Sequence, residues 1–142
     1  MRAVGSGVSV EPLIEAARRA RENAYAPYSS FRVGAALLGE DGTVYLGVNV
    51  ENSAYPTCQC AERSAIGNAV THGCQRFAAI AIVCARAKDG RLGSPCGQCR
   101  QALSEFGLDL TVILADADPA GAPHEVLSLR DLLPRAFTPE SL

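Results

Sequence analysis

The sequence predicts an α/β fold built on a mixed β-sheet, and three observations point there. Two apolar runs joined by Gly39-Glu40-Asp41-Gly42 signal an early hairpin. The segment Phe77–Cys84 is apolar without alternation, as expected of a strand covered on both faces and central in its sheet. Helical segments then separate strands twice, an order that implies parallel pairing with helical crossovers.

Each element has its own signal. Ser9 has N-cap chemistry, and Leu13, Ile14, Ala17 and Ala20 follow the helical period, with Pro27 as a stop. Residues 31–38 read as the first strand, and 43–50 return as the second, antiparallel to it. A loop over 51–59 leads to a helix that begins near Cys60 and ends at His72-Gly73. After the third strand, a loop over 85–94 delivers Pro95 to the start of another helix, which closes near Gly107. Residues 110–115 and 125–127 supply two more strands. Residues 129–133 form a short helical turn, which Pro134 stops, so 135–142 should leave it as an extended tail. The expected organisation is one domain over 1–142, with a flexible segment over 1–9 and a C-terminal tail over 134–142.

Composition narrows the function. A chain of 142 residues buries roughly 68–70% of its unfolded surface, enough for one sizeable core. No stretch approaches the ~20 apolar residues needed to cross a membrane. The formal charge is −2, with twelve arginines and Lys88 scattered among 15 acids. Arg18, Arg19 and Arg21 form the one basic cluster, but Glu15 and Glu22 flank it, as on a solvated helix face. A polynucleotide-binding protein would carry a basic stripe to pair with phosphates, and none is present. The expected substrate is therefore small. With 48% hydrophobic residues and no secretory leader, the six cysteines are expected reduced, in a cytoplasm, rather than as a disulfide framework.

The chemistry concentrates in Cys60-Ala61-Glu62 and Pro95-Cys96-Gly97-Gln98-Cys99. A Cys or His two residues before Glu, followed by P-C-x-x-C, is the signature of zinc nucleobase deaminases. Cys96 and Cys99 have the spacing that lets two thiolates grip one tetrahedral ion, and Cys60 supplies a third sulfur. Three protein ligands with one open position characterise a catalytic zinc; four characterise a structural one. Glu62 is near enough to serve as a proton shuttle without being a ligand. Both half-motifs fall at expected helix N-termini, where free N–H groups and the dipole favour thiolates. Three thiolates around a dication leave one excess negative charge, and Arg63 is placed in sequence to offset it by hydrogen-bonding a ligand sulfur.

Competing readings stay open at this stage. Cys96 and Cys99 also fit a thioredoxin-type redox pair, though such a pair needs neither Cys60 nor Glu62. Cys58 competes for a fourth ligand position, which would close the site. Cys74 and Cys84 read as small core hydrophobes. Asn49 and Glu51, at a strand-to-loop junction, have turn-capping as their plain alternative, and Phe31 and Phe137 have core packing as theirs.

On these residues the chain resembles the small homotetrameric cytidine deaminases of nucleoside salvage. The resemblance runs from about Pro12 to Phe137. Beyond the metal motif it rests on 28–36 (Tyr-Ser-Ser-Phe-Arg-Val-Gly-Ala-Ala), on 47–52 (Gly-Val-Asn-Val-Glu-Asn), on Tyr55, and on Leu132-Leu133-Pro134 with Phe137. It implies a three-layer α/β/α fold with a five-stranded mixed sheet, and one zinc ion per chain held by Cys60, Cys96 and Cys99, with Glu62 as shuttle. It further implies that Asn49 and Glu51 hydrogen-bond a ribose 3′-hydroxyl and that Phe31 walls the pyrimidine. The backbone N–H of Ala61 and carbonyl of Ser94 would read the base's O2 and 4-amino edge, and Phe137 would reach a neighbouring subunit's site. The implied partner is a nucleoside, with no nucleic acid and no membrane. The implied reaction is hydrolytic deamination of cytidine and 2′-deoxycytidine to uridine and 2′-deoxyuridine. A deaminase of nucleoside-like antibiotics would share the same metal site, and Cys58 is treated as a bystander.

Overall fold

Strand periodicity sorts this chain into layers. In the computed structural model, which describes residues 9–120 and 123–142, five strands form one sheet: β1 (Gly34–Gly39), β2 (Val44–Val48), β3 (Phe77–Cys84), β4 (Thr111–Asp116) and β5 (Glu125–Ser128). Their order is β2-β1-β3-β4-β5. β1 runs antiparallel to β2 and β3, β3 parallel to β4, and β4 antiparallel to β5. Because successive side chains point to opposite faces, Ala35, Leu37, Ile80 and Ile82 meet one core while Ala36, Ala79, Ala81 and Val83 meet the other. The first core is closed by α2 (Ala61–Thr71), through Ala61, Ala65 and Ala69, and by α3 (Gly97–Ser104), through Leu103. The second is closed by α1 (Val10–Arg21), through Leu13, Ile14 and Ala17. The result is a three-layer α/β/α fold around a five-stranded mixed sheet. A single-turn helix, α4 (Leu129–Leu132), follows β5 and buries Leu129 in the first core.

Both crossovers join strands of the same direction, as expected. Only β3 and β4 are neighbours, however, because β1 is inserted between β2 and β3. β3 is buried along its whole length, in keeping with its unbroken apolar sequence.

The edges of the elements depart from the sequence-based expectation for local reasons. β1 starts at Gly34 rather than at residue 31, because the Asn49 side chain replaces a strand partner there. Its Oδ1 accepts from Val33 N at 2.9 Å and its Nδ2 donates to Phe31 O at 2.8 Å. β2 stops at Val48, and Val50 instead makes isolated bridges to Tyr25 and Gln59. α1 ends at Arg21, well before Pro27. Arg18 and Arg21 are not merely solvated, since they donate to the carbonyls of Asp116 and Arg32 at 2.9 Å each. Pro95 precedes α3 instead of opening it, because Cys96 is the N-cap. The tail is not fully extended: Pro139–Ser141 form a 3₁₀ turn closed by reciprocal Thr138 and Ser141 bonds. Residues 1–8, and with them nearly all of the expected flexible segment over 1–9, lie outside the described residues; Ser9 is the N-cap of α1, without a side-chain cap bond.

α2 lies so near β2 that only glycine fits between them. A Cβ on Gly47 would stand 2.3 Å from both Ala61 O and Ala65 N, which are backbone atoms with nowhere to retreat. Gly47→Ala must therefore push α2 outward, at a cost of about 1–3 kcal/mol or more. A lower urea midpoint at unchanged m checks this; unchanged stability would contradict the close approach.

Candidate active site

Cys60 and Cys96 occupy the N-cap positions of α2 and α3, with extended backbone angles (φ −76°, ψ 154° and φ −66°, ψ 167°). Ser, Thr, Asp or Asn at such a position bonds back to the helix. Neither cysteine makes a side-chain cap bond, so both sulfurs are free for another partner. Cys99 sits one turn into α3 and is fully buried. The Sγ atoms of Cys60, Cys96 and Cys99 all lie within 4.8 Å of one another. Tetrahedral zinc–thiolate bonds of about 2.3 Å set neighbouring sulfurs about 3.8 Å apart. An all-sulfur donor set at this spacing, drawn from two helix N-termini, fits zinc.

Electrostatics around the sulfurs favour the thiolate state at Cys60. The Cys99 S–H directed at Cys60, followed by the Arg63 guanidinium, holds Cys60 down at about 5. The same hydrogen bond, followed by burial, pushes Cys99 up. Arg63 Nη2 donates to Cys60 Sγ at 3.5 Å and to Cys58 O at 3.4 Å. Glu62, in the first turn of α2, is only 5% exposed. Burial pushes its carboxyl up to about 7, against its own backbone N–H, which pulls the other way.

Cys60, Cys96 and Glu62, but not Cys99 or Arg63, face a cavity of about 350 Å³, within the usual size of small-molecule sites. Cys60, Ala61, Glu62, Ser94 and Cys96 line it, and so do Phe31, Asn49 and Glu51 on the β1–β2 side. Phe31 is 47% exposed, a large ring on a cavity wall rather than in a core. The Glu51 carboxylate accepts from Tyr28 N at 2.9 Å, from Ser29 N at 3.1 Å, and from the Ser29 hydroxyl. Those bonds, led by the Ser29 hydroxyl, hold its pKa below the ordinary carboxylate range. Phe137 does not line the cavity of its own chain and is 59% exposed.

Cys58 Sγ is occupied elsewhere: it accepts from Asn52 N at 3.2 Å and donates to Asn52 O at 3.5 Å. It is outside the three-sulfur group. Cys74 and Cys84 are buried; burial raises the Cys84 thiol to about 11, so it stands as a neutral wall of the cavity.

Two contributors escaped the sequence reading. Ser29 accepts from Phe31 N at 3.0 Å while bonding Glu51, and so joins two candidate substrate contacts. Its signal was its place in the segment before Phe31, where Ser commonly bonds the backbone two residues on. The other is Arg100, directly after Cys99, which holds the Ser94–Pro95 segment.

Comparison with known proteins places this geometry. Residues 9–115 match the family described as the cytidine and deoxycytidylate deaminase zinc-binding region. The cytidine deaminase of Sporosarcina psychrophila is 46% identical over 136 residues, covering 95% of this chain and 96% of that protein. The crystal structure of cytidine deaminase from Burkholderia pseudomallei superposes with a TM-score of 0.83 at 47% identity, over 92% of this chain and 100% of that one. That of cytidine deaminase from Mycobacterium tuberculosis gives 0.78 at 39% identity, over 92% and 98% of the two chains.

A three-sulfur centre makes a clear prediction for metal content. Cys58→Ser should keep about one zinc per chain, whereas Cys96→Ala or Cys99→Ala should lose it along with several kcal/mol of stability (order of magnitude), because metal binding is coupled to folding. Elemental zinc analysis with thermal melts reads both; zinc loss in Cys58→Ser would mean a closed four-thiol site.

Proposed function

The chain belongs to the zinc-binding cytidine and deoxycytidylate deaminase family, and on that premise we propose that it hydrolyses cytidine and 2′-deoxycytidine to uridine and 2′-deoxyuridine, releasing ammonia. It would do so as a single catalytic domain in pyrimidine salvage. The observation that carries this reading is a group of three cysteine sulfurs beside a nucleoside-sized cavity that Cys60, Cys96 and a buried Glu62 line.

Cys60, Cys96 and Cys99 would hold a zinc ion, whose Lewis acidity would let water give up a proton near neutral pH. Glu62 accepts the proton of the water that adds to C4 of the cytosine ring and passes it to N3. It then takes the proton of the hydroxyl formed at C4 and delivers it to the 4-amino group, which leaves as ammonia while the C4 oxygen becomes the carbonyl of uridine, so one carboxyl serves as base and as acid in turn. Arg63, bonded to Cys60 Sγ, draws charge from a donor set more negative than a dication balances. Ala61 N–H and Ser94 C=O hold the O2 and 4-amino edge of the base, and Phe31 covers its face.

Asn49 and Glu51 take the ribose 3′-hydroxyl. Their bonds to the backbone and to Ser29 do not exhaust them. Asn49 keeps a second N–H and a second lone pair, and Glu51 retains acceptor capacity beyond the three bonds it accepts. The capping role and the sugar role are compatible: the first pre-orients the groups for the second. A 3′-phosphate would clash there and be repelled by Glu51, so oligonucleotides are excluded.

We further propose a cytoplasmic homotetramer with shared active sites. Exposed Tyr25, Tyr28, Val50, Tyr55 and Phe137 support it, as large apolar groups left uncovered by their own chain, and six free cysteines support a reducing compartment. Phe137 would then close over the base held by an adjacent copy.

An ultraviolet assay with cytidine tests the activity directly, since deamination changes the chromophore. Glu62→Ala should keep its zinc and lose nearly all turnover, and Glu51→Gln should weaken nucleoside affinity at unchanged zinc content. Phe137→Ala should weaken nucleoside binding by roughly 1–3 kcal/mol. Co-assembling Glu62→Ala with Phe137→Ala chains should give specific activity above either parent. An active monomer in sedimentation would overturn the shared site.

A further inference from the structure

Ser94 lines the substrate cavity and also a second cavity of about 590 Å³ behind it. Ser94 is exposed, so packing does little to fix it, although Pro95 next to it is buried. The hydrogen bonds that hold Ser94 and Pro95 come from Arg100. Its guanidinium donates from Nη2 to Ser94 Oγ at 2.8 Å, from Nε to Pro95 O at 2.7 Å, and from Nη1 to Leu132 O at 2.8 Å. Its backbone N–H donates to Cys96 O at 3.0 Å. One residue thus bonds three consecutive residues, 94–96, and ties them to α4. Only the planar fork of arginine reaches acceptors so divergent at once. Arg100 itself does not line the substrate cavity.

We propose that Arg100 is a positioning residue that aims the Ser94 main-chain carbonyl at the amino group of the bound nucleobase and thereby sets substrate affinity. The proposal rests on the deaminase reading. A purely structural clamp would behave differently: partial unfolding lowers the amount of active enzyme and hence the apparent kcat, and leaves KM alone.

Arg100→Ala and Arg100→Lys are compared with the wild type as zinc-loaded proteins, by steady-state kinetics on cytidine, zinc content, and hydrogen–deuterium exchange of the peptide over 93–97. The expected result is a KM raised about tenfold in both variants, kcat within about twofold, retained zinc, and faster exchange over 93–97. Lysine should not rescue, because one ammonium cannot span the three acceptors. An unchanged KM in folded Arg100→Ala, a fall in kcat alone, or full rescue by lysine overturns the proposal. If Arg100→Ala does not fold, Ser94→Ala, which removes the hydroxyl contact and keeps the carbonyl, should still raise KM and speed exchange; no change in either overturns it. A wild-type protein inactive on cytidine would sink the deaminase reading instead, and the exchange comparison would then decide the strap by itself: unchanged exchange over 93–97 refutes it.

Discussion

Three sulfur atoms held within 4.8 Å of one another repel as thiolates unless positive charge surrounds them, and most of this architecture serves that requirement. β2 and β3 run in the same direction, and each is followed by a helix, so the N-termini of α2 and α3 arrive at the same edge of the sheet. That edge is where open α/β sheets generally bind ligands. The helix ends aim unpaired N–H groups at Cys60 and Cys96, Arg63 adds a full charge beside Cys60, and zinc supplies the rest. The inserted β1 runs oppositely, which brings its entry segment, with Phe31 and Val33, to the same edge and completes the cavity.

Close approach does the positioning. Gly47 lets α2 settle on β2, and that contact fixes Ala61 and Glu62 against the sheet. At the other end of the cavity the polar groups are ordered before any ligand arrives, with Glu51 held by Ser29 and Tyr28, and Asn49 held by Val33 and Phe31. Ser30 nearby adopts a left-handed φ of 60°, a conformation that non-glycine residues tolerate where surrounding bonds over-determine it. Pre-oriented groups lose less entropy on binding.

The metal ligands, Glu62 and the central strand were legible in the sequence because each depends on local pattern: a spacing, a helix start, an apolar run. Arg63 was legible by its place next to Glu62. The strand order was not, since nothing local says that β1 separates β2 from β3. That the capping bonds of Asn49 and Glu51 leave hydrogen-bonding capacity unused was also hidden. Sequence offered turn-capping and sugar contact as alternatives, whereas the structure shows capping with hydrogen-bonding capacity to spare. Residues 31–33 look like strand because their apolar alternation is real; the side-chain bonds of Asn49, just beyond the end of β2, decide otherwise. Arg100 reads as an ordinary helix residue until its three acceptors are assembled, two from the segment just before α3 and one from α4.

Deamination by the proposed route requires a zinc ion bound by three thiolates with one position left open beside Glu62. Zinc K-edge X-ray absorption on the purified, zinc-loaded protein tests it most directly. Three sulfur scatterers at about 2.3 Å and one lighter oxygen or nitrogen at about 2.0–2.2 Å are expected. Four sulfurs and no lighter scatterer would mean a closed structural site and would contradict it.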